Sequence, residues 1–267
     1  MGSYIDVSLR ILDPLDEYRL FEFPADAAAA RATYQRVAPA GTDARCVLTA
    51  PTYYLLARGA QDMRAVNDFL LGERQAGGPV AAVFGVAEPK YDHHALQELE
   101  RLAAQGAAGV IWSPRAQGVF GDDALLASLC RRAHELGLRS MVRAASYSSN
   151  EALWRAWRLA RYCPDMPILV SGALQNWDNA QSIAAAEGAP ENIVYDTAGW
   201  TTSTDPARLL DVVGQARLLF GTAGLCCADH AAAELERRLR QAGVSDAAVE
   251  AVMWGNAARL LGLEPPK

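Results

Sequence analysis

Three arginines stand at or just after the ends of predicted strands, and their chemistry indicates an anionic ligand. Arg10 closes the first predicted strand, Arg143 lies in the fifth, and Arg115 follows the fourth in Trp112-Ser113-Pro114-Arg115. A guanidinium group presents a planar fork of N–H donors that fits two oxygens of a carboxylate or a phosphate. We therefore expect a small anion, in particular a carboxylate, to bind where these strands end.

The same arginines have a second interpretation, in which their partners are internal. Asp6 lies on the first strand and Asp196 ends the seventh, so either carboxylate is a candidate partner for a buried guanidinium. A buried charge without a partner is costly, and an internal carboxylate relieves that cost as well as a ligand does. The sequence leaves both interpretations open: the arginines hold a ligand, or they fill the barrel by pairing internally.

Hydroxyl and aromatic side chains complete the candidate ligand site. We expect polar contacts from Ser8 and Ser171 and apolar walls from Tyr53, Tyr54, Trp112, Trp177 and Trp200. Each of these aromatic residues, taken alone, is more typical of a protein core than of a pocket.

Asp196 and His230 are the candidates for proton transfer if the protein is an enzyme, because both residue types act as general acids or bases. Ser8 or Ser171, taken with those two, would supply the residue types of a hydrolytic triad. The adjacent Cys226-Cys227 pair would supply a thiolate nucleophile if nearby arginines lower its pKa. The chain has no Gly-x-Ser-x-Gly turn, which argues against the serine triad. Cysteines such as these are far more often small buried residues than nucleophiles.

Composition excludes several classes of function. Of the 25 basic residues 23 are arginine, and Lys90 and Lys267 are the two lysines, so no Gly-Lys-Ser/Thr phosphate loop is present. No Gly-x-Gly-x-x-Gly motif follows a predicted strand either, and we expect no cofactor. The net charge of −6 opposes binding to nucleic acid or to anionic membranes.

The sequence also lacks signals for export. Its first residues contain no basic segment followed by an apolar one, and no run of about 18 apolar residues occurs. The five cysteines form neither a disulfide framework nor a Cys-x-x-Cys metal motif. We expect a soluble cytoplasmic protein with reduced thiols.

Eight strand and helix units position these residues in the predicted fold. Short apolar runs alternate with longer stretches of helical period, which is the pattern of parallel βα units. The predicted strands are Ile5–Leu9, Cys46–Ala50, Val80–Val86, Gly109–Trp112, Ser140–Ala144, Ile168–Ser171, Ile193–Asp196 and Leu218–Gly221. The 267 residues match one (β/α)8 barrel, which typically needs about 250. We predict a single α/β domain over 1–267, a (β/α)8 TIM barrel.

Three helices are the clearest. Asp92–Gln105 has Asp92 as its N-cap and a stripe of Leu96, Leu99 and Leu102. Asp122–Leu136 ends at Gly137, as a helix C-cap would. An additional C-terminal helix, Ser245–Leu261, follows the eighth unit.

The first strand sets which residues face into the barrel. Its apolar residues Ile5, Val7 and Leu9 should face the helices, and alternation then turns Asp6, Ser8 and Arg10 into the barrel. Barrel enzymes build their sites at the carboxyl ends of strands, so polar residues reach the predicted mouth.

Six phrases along the chain resemble the amidohydrolase-related branch of the metal-dependent hydrolase superfamily. They are Ile-Asp-Val-Ser-Leu-Arg at 5–10, Gly-Leu-Arg-Ser-Met-Val-Arg-Ala at 137–144, Pro-Asp-Met-Pro-Ile-Leu-Val-Ser-Gly at 164–172, Asn-Ile-Val-Tyr-Asp-Thr-Ala-Gly at 192–199, Leu-Leu-Phe-Gly-Thr-Ala at 218–223 and Gly-Asn-Ala-Ala-Arg-Leu-Leu-Gly-Leu at 255–263. Their order and spacing cover nearly the whole chain.

The resemblance implies a divalent metal, but this sequence departs from the family pattern at each ligand. Where the family has a His-x-His pair on the first strand, a histidine ending each of the fifth and sixth strands and an aspartate on the eighth, this chain has other residues: Ser8 and Arg10, Arg143, Ser171 or Gly172, and Ala223. Zinc prefers neutral imidazole or anionic ligands, which a cationic arginine does not supply. Losing the eighth-strand aspartate also removes the family's usual general base.

A metal site rebuilt elsewhere is the less favoured alternative. Its candidate ligands are His93, His94, Cys226, Cys227, Asp229 and His230. Asp92 and Asp229 stand just before helices, where aspartates cap, and we expect adjacent histidines on a helical turn to point in different directions.

The leading hypothesis is a protein that lost the metal reaction and persists as a ligand-binding or regulatory subunit. We expect it to form a homo-oligomer, or a hetero-oligomer with a metal-bearing related barrel. The alternative is a metal-independent lactone hydrolase, decarboxylase or other lyase. In that case Arg10 and Arg143 hold the substrate carboxylate and Asp196 or His230 moves the proton.

Overall fold

Eight parallel strands follow one another in chain order around a nearly closed barrel in the computed structural model, which describes residues 3–10, 44–50, 59–145, 148–175, 177–185, 189–199, 206–223 and 228–264. The strands are β1 Tyr4–Arg10, β2 Ala44–Thr49, β3 Val80–Gly85, β4 Gly109–Trp112, β5 Arg139–Arg143, β6 Ile168–Ser171, β7 Ile193–Asp196 and β8 Leu218–Leu219. All eight predicted strands are confirmed, and so is the (β/α)8 TIM-barrel fold.

Strand β8 is shorter than predicted, because the backbone after Leu219 bonds to partners outside the sheet. The Phe220 amide donates to the Val252 carbonyl at 2.9 Å, and the Gly221 amide donates to Oγ1 of Thr197 at 3.0 Å. The ladder between β7 and β8 therefore stops at Leu219.

The barrel closes at a seam between β1 and the residues that follow β8. The Val7 amide donates to the Phe220 carbonyl at 3.1 Å, and the rings of Tyr4 and Phe220 meet edge to face with centroids 5.3 Å apart. The predicted alternation along β1 is confirmed at this seam. Ile5, Val7 and Leu9 are fully buried in the apolar core, whereas Asp6 and Ser8 bond to residues of the opposite side of the seam.

The helices that cover the barrel begin near the predicted positions. Within the described ranges they are α1 Ala60–Gln75, α2 His93–Ala104, α3 Pro114–Gln117, α4 Ala124–Glu135, α5 Leu153–Tyr162, α6 Trp177–Ala185, α7 Pro206–Val213, α8 Ala228–Gln241, α9 Asp246–Glu250 and α10 Asn256–Leu261.

Three details of the predicted helices are wrong. Asp92 precedes α2, but its side chain makes no capping hydrogen bond, because its backbone has the unusual φ of 45° and ψ of −115°. Leu96 belongs to the exposed face of α2, whereas Leu99 and Leu102 are fully buried. Helix α4 begins two residues later than predicted, because Asp123 caps it by accepting from the Leu125 amide at 2.8 Å. Gly137 follows α4 with φ 81°, as its predicted C-cap position requires.

The predicted C-terminal helix is one helical run with a wider turn inside it. Between α9 and α10, Ala251–Gly255 form a π-helical segment. Asn256 then anchors the run to the barrel, because its Nδ2 donates to the carbonyls of Gln215 and Leu218 at 2.6 and 2.9 Å. No helix among the described residues is both long enough and apolar enough to cross a membrane.

Candidate functional site

Asp6 lies inside the barrel at the seam, where three donors surround its carboxyl group. Its Oδ1 accepts from the amides of Ser8 and Thr222 at 3.1 and 3.0 Å, and its Oδ2 accepts from the Thr222 hydroxyl at 2.5 Å. Burial raises the pKa of Asp6 to about 6, and these hydrogen bonds only partly oppose that change. The nearby carboxylate of Asp196 raises the same pKa further.

Asp196, at the carboxyl end of β7, is a second buried carboxyl group, and one of its two oxygens accepts no hydrogen bond from the described residues. Its Oδ1 accepts from the amides of Gly172 and Ala198, each at 3.1 Å. Its Oδ2 is buried and has no hydrogen-bond partner among the described residues. Burial raises the pKa of Asp196, while the hydroxyls of Ser171 and Ser8 favour its charged form. An acid in this state is suited to taking up or releasing a proton.

Ser8 of β1 lies between Asp196 and the segment that follows β8. Its Oγ accepts from the Ala223 amide at 3.2 Å. A Cβ atom on Gly221 would lie 2.5 Å from that Oγ and 3.1 Å from the Cβ of Asp196, so only glycine fits between them. Ala223 itself has φ 53°, a left-handed conformation that is strained for alanine. The structure therefore brings together Ser8, Ser171 and Asp196, three of the residues that the sequence analysis grouped as candidates for a hydrolytic triad.

Arg143 is paired with a carboxylate that the sequence analysis missed. Its Nε lies 3.3 Å from Oε2 of Glu151, and the two side chains are 2% and 1% exposed. Glu151 also accepts from the Arg115 amide at 3.2 Å through Oε1. Internal pairing is thus realised for Arg143, with Glu151 in place of the predicted Asp6 or Asp196. Glu151 ends a short 3-10 helix, Ser149–Glu151, in the loop after β5, whereas both predicted partners lie on strands.

Glu151 stands within the field of three arginines. Burial raises its pKa, while the charges of Arg143, Arg10 and Arg115 and the Arg115 amide oppose that change. Arg10 is buried and Arg115 is exposed. Burial is the largest influence on the pKa of Glu151, of Asp6 and of Asp196 alike, and the charges of three arginines act on Glu151 in addition.

The residues that the sequence resemblance aligns with the family's metal ligands do not fit a divalent cation. They are Ser8, Arg10, Arg143, Ser171 or Gly172, and Ala223, which offer two permanent positive charges and no imidazole or carboxylate. Within the described ranges no group of three or more His, Cys, Asp or Glu side chains is arranged to hold a metal ion.

The histidine pair after β3 differs from expectation in its geometry. The rings of His93 and His94 lie 4.0 Å apart at an interplanar angle of 38°, and do not point apart as predicted. Both are exposed. The other predicted ligands of a rebuilt site, Cys226, Cys227, Asp229 and His230, lie outside the residues or side chains that the structure describes.

Of the aromatic residues predicted as pocket walls, only the side chain of Trp112 lies within the part of the chain that the structure describes. Trp112 is fully buried, and its Nε1 donates to the Ser140 hydroxyl at 3.2 Å, which fixes the indole inside the barrel. Its role as a pocket wall stays a prediction. Tyr53, Tyr54 and Trp200 lie outside the described residues, and so does the side chain of Trp177.

Comparison with known proteins gives a family and a fold. The sequence matches the amidohydrolase family over residues 5–263. No curated protein sequence matches it significantly. Similar solved structures include 2,6-dihydroxybenzoate decarboxylase from Rhizobium, with 12% identity, a TM-score of 0.69 and coverage of 98% of this chain and 99% of that one.

Two further decarboxylases are similar to the same extent. Dihydroxybenzoic acid decarboxylase from Polaromonas sp. JS666, solved with bound manganese and 2-nitroresorcinol, has 15% identity and a TM-score of 0.68, covering 98% of this chain and 97% of that one. For 5-carboxyvanillate decarboxylase from Sphingomonas paucimobilis the identity is 16% and the TM-score 0.66, with 99% and 100% coverage. At such identities the likeness concerns the fold alone.

Proposed function

Because the chain belongs to the amidohydrolase family, we propose that it binds a small carboxylate at the carboxyl end of its barrel and does not hydrolyse it. The observation that carries this proposal is the convergence of three guanidinium groups near Glu151, in the loop after β5. Arg143 pairs with Glu151 at 3.3 Å, and the charges of Arg10 and Arg115 act on the same carboxylate, so positive charge is concentrated where a carboxylate ligand would bind. Decarboxylases of similar fold are named for small aromatic carboxylates, which have the charge and size this role requires.

The proposal includes the absence of a metal-based reaction. In the family pattern a metal and an aspartate after β8 activate water together, whereas Arg10 and Ala223 stand at two of those positions here. A ligand-binding or regulatory role is compatible with those residues.

A metal-independent enzyme acting on a small carboxylate is the second candidate, and the unpartnered Oδ2 of Asp196 favours it. In a decarboxylation the bond to the carboxyl carbon breaks, CO2 leaves, and the electron pair left on the substrate takes a proton from Asp196. In a lactone hydrolysis Asp196 instead takes the proton of the water that bonds to the carbonyl carbon, and it returns that proton to the ring oxygen when the ring C–O bond breaks. Arg10 and Arg143 hold the substrate in both reactions. His230 is the other candidate for the proton transfer.

Calorimetric titration with 2,6-dihydroxybenzoate and 5-carboxyvanillate tests the binding proposal. We expect saturable binding that weakens at least about tenfold in Arg143→Met, since a charged hydrogen bond to the ligand is lost. Arg131→Met is the matched control, because Arg131 is exposed and its guanidinium donates to the Tyr162 carbonyl, away from the mouth. Equal binding of both carboxylates by Arg143→Met and the wild type would contradict the proposal.

Product analysis with the same two compounds separates the candidate functions. Binding without CO2 release, in chelator-treated and in metal-supplemented protein alike, supports the non-hydrolytic role. Turnover that survives chelation and disappears in Asp196→Asn supports the metal-independent enzyme. Turnover that needs one bound metal ion per chain would overturn both.

We also propose that the protein acts as an oligomer in the cytoplasm, as a homo-oligomer or together with a metal-bearing related barrel. Light scattering of the purified chain, alone and after co-expression with such a relative, measures this directly. A strictly monomeric chain under both conditions would contradict it.

A further inference from the structure

The end of the barrel opposite the mouth contains a cavity of about 370 Å³, here termed the basal cavity. Its walls come from the beginnings of strands and the ends of helices: Ala81 and Ala82 of β3, Gly106 to Ala108 before β4, and the Leu260 to Leu263 segment that ends α10. Three arginines, Arg74, Arg139 and Arg259, line it as well. A smaller cavity of about 220 Å³ adjoins it and shares Arg139, Arg259 and Leu260.

The arginines of the basal cavity bond to neutral acceptors. Arg74 donates to the Gly106 carbonyl at 2.5 Å, Arg139 to the Leu260 carbonyl at 3.1 Å, and Arg259 to Oδ1 of Asn256 at 2.7 Å. No aspartate or glutamate lines the cavity among the described residues. Each guanidinium has five N–H donors and uses one of them in these contacts, so donors remain for a ligand.

Helix ends offset only part of this positive charge. Helices α1, α2, α4 and α10 end at the cavity: the last turn of α1 contributes Arg74, and the other three are followed by Gly106, Gly137 and Gly262 with φ of 80°, 81° and 64°. A helix C-terminus carries about half a negative charge, so four of them balance about two thirds of the charge of three arginines. The remainder is a positive potential in a chain whose net charge is −6.

We propose that the basal cavity binds the phosphoryl group of a small phosphorylated metabolite. A phosphoryl dianion offers more acceptor oxygens and charge than a carboxylate, which suits three guanidinium groups around one cavity. The volume lies at the lower end of the range of small-molecule sites, roughly 300 to 1,000 Å³, and leaves room for the organic part of the ligand. This site is independent of the carboxylate site proposed at the mouth.

Titration calorimetry at low ionic strength tests the proposal with three probes: inorganic phosphate, ribose 5-phosphate and ribose. We expect both phosphates to bind with one site per chain, ribose 5-phosphate more tightly, and ribose not at all. Binding should weaken roughly tenfold in Arg259→Gln and roughly a hundredfold in Arg74→Gln/Arg259→Gln, as loss of charged hydrogen bonds implies. Arg131→Gln, outside the cavity, is the control and should bind like the wild type.

The outcomes divide as follows. Tighter binding of ribose 5-phosphate supports a phosphorylated metabolite, and equal binding of the two phosphates supports a site for the phosphoryl group alone. Binding of ribose as tight as that of its phosphate, no binding of either phosphate, or unchanged binding in Arg259→Gln would overturn the proposal. Arg259 is exposed, so this single variant keeps the test decisive if the double variant fails to fold. Phosphate binding measured with saturating 2,6-dihydroxybenzoate separates this site from the mouth and should equal that of the protein alone.

Discussion

At the scale of single residues, the most informative group is the carboxyl of Asp6, which is folded into the barrel seam with a pKa raised to about 6. The folded protein therefore binds a proton at Asp6 more tightly than the unfolded chain does. Stability from this group is fully present below about pH 4 and is lost as the pH rises through about 6.

Asp6→Asn should remove this loss. The amide keeps one acceptor for the backbone donors, and its NH2 group can donate to the Thr222 hydroxyl. Relative to the wild type, we expect the variant to gain up to about 3 kcal/mol in free energy of unfolding between about pH 4 and about pH 7. Urea unfolding at several pH values measures the difference. Asp165→Asn on the exposed surface is the control; a constant difference for Asp6→Asn across this range would contradict the assignment.

Ala223 gives a second prediction at this scale, since its φ of 53° is strained for a residue with a Cβ atom. A left-handed conformation costs such a residue about 1–2 kcal/mol, which glycine avoids. Ala223→Gly should therefore be better tolerated than Ala87→Gly, in the loop after β3, by about 1–2 kcal/mol, because both changes remove a buried methyl group outside a helix and only the first relieves strain. Equal losses in thermal unfolding would show that Ala223 carries no such strain.

At the scale of elements, the ion pair of Arg143 and Glu151 joins β5 to the 3-10 helix in the loop that follows it. Glu151→Gln keeps an oxygen for the Arg115 amide but leaves the buried guanidinium without its carboxylate. We expect a loss of about 3 kcal/mol in unfolding free energy, and partial recovery in Arg143→Met/Glu151→Gln, which removes both charges.

The matched control for this pair is Glu135→Gln on α4. Glu135 lies 3.0 Å from Arg132, but that pair is exposed and should contribute little to stability. Chemical denaturation of the wild type, the two single variants and the double variant measures their free energies of unfolding under the same conditions. If Glu151→Gln were no less stable than Glu135→Gln, the buried pair would have no structural role.

Elements also show what the sequence could predict. The strands were predictable because each is a short apolar run bounded by turn residues. The Asn-Ala-Ala-Arg-Leu phrase indicates the fold because the Asn256 side chain donates hydrogen bonds to the backbone before β8 and within it. The partner of Arg143 was not predictable, because Glu151 lies in a loop whose path periodicity does not determine. The end of β8 depended on contacts of Phe220 and Gly221 with distant segments.

At the scale of the whole molecule, the barrel has one weak interface. Every strand from β2 to β7 has a parallel neighbour on each side, whereas β8 has two residues and meets β1 through the Val7 amide and side-chain contacts. Regions with few ladder hydrogen bonds open before the rest of a protein unfolds.

Hydrogen exchange should therefore find the seam less protected than the far side of the barrel. We expect the Val7 amide to exchange by local opening, and the Met141 amide of β5, which lies between two strands, to require global unfolding. Low concentrations of denaturant should accelerate exchange of the Met141 amide and leave exchange of the Val7 amide nearly unaffected. Equal protection of the two amides would show that the barrel opens as one unit.

The hydrogen bonds from Thr222 to Asp6 span 216 positions of the chain, and this has a consequence for biosynthesis. A ribosome adds roughly 5–20 residues per second, so the first strand emerges roughly 10–40 s before its closing partner exists. During that interval β1 is a nascent edge with an apolar face and no neighbour on one side. The newly made protein is thus most exposed to misassociation before translation reaches the eighth strand, and a chaperone that shields the amino-terminal segment for that period would act where the fold needs it most.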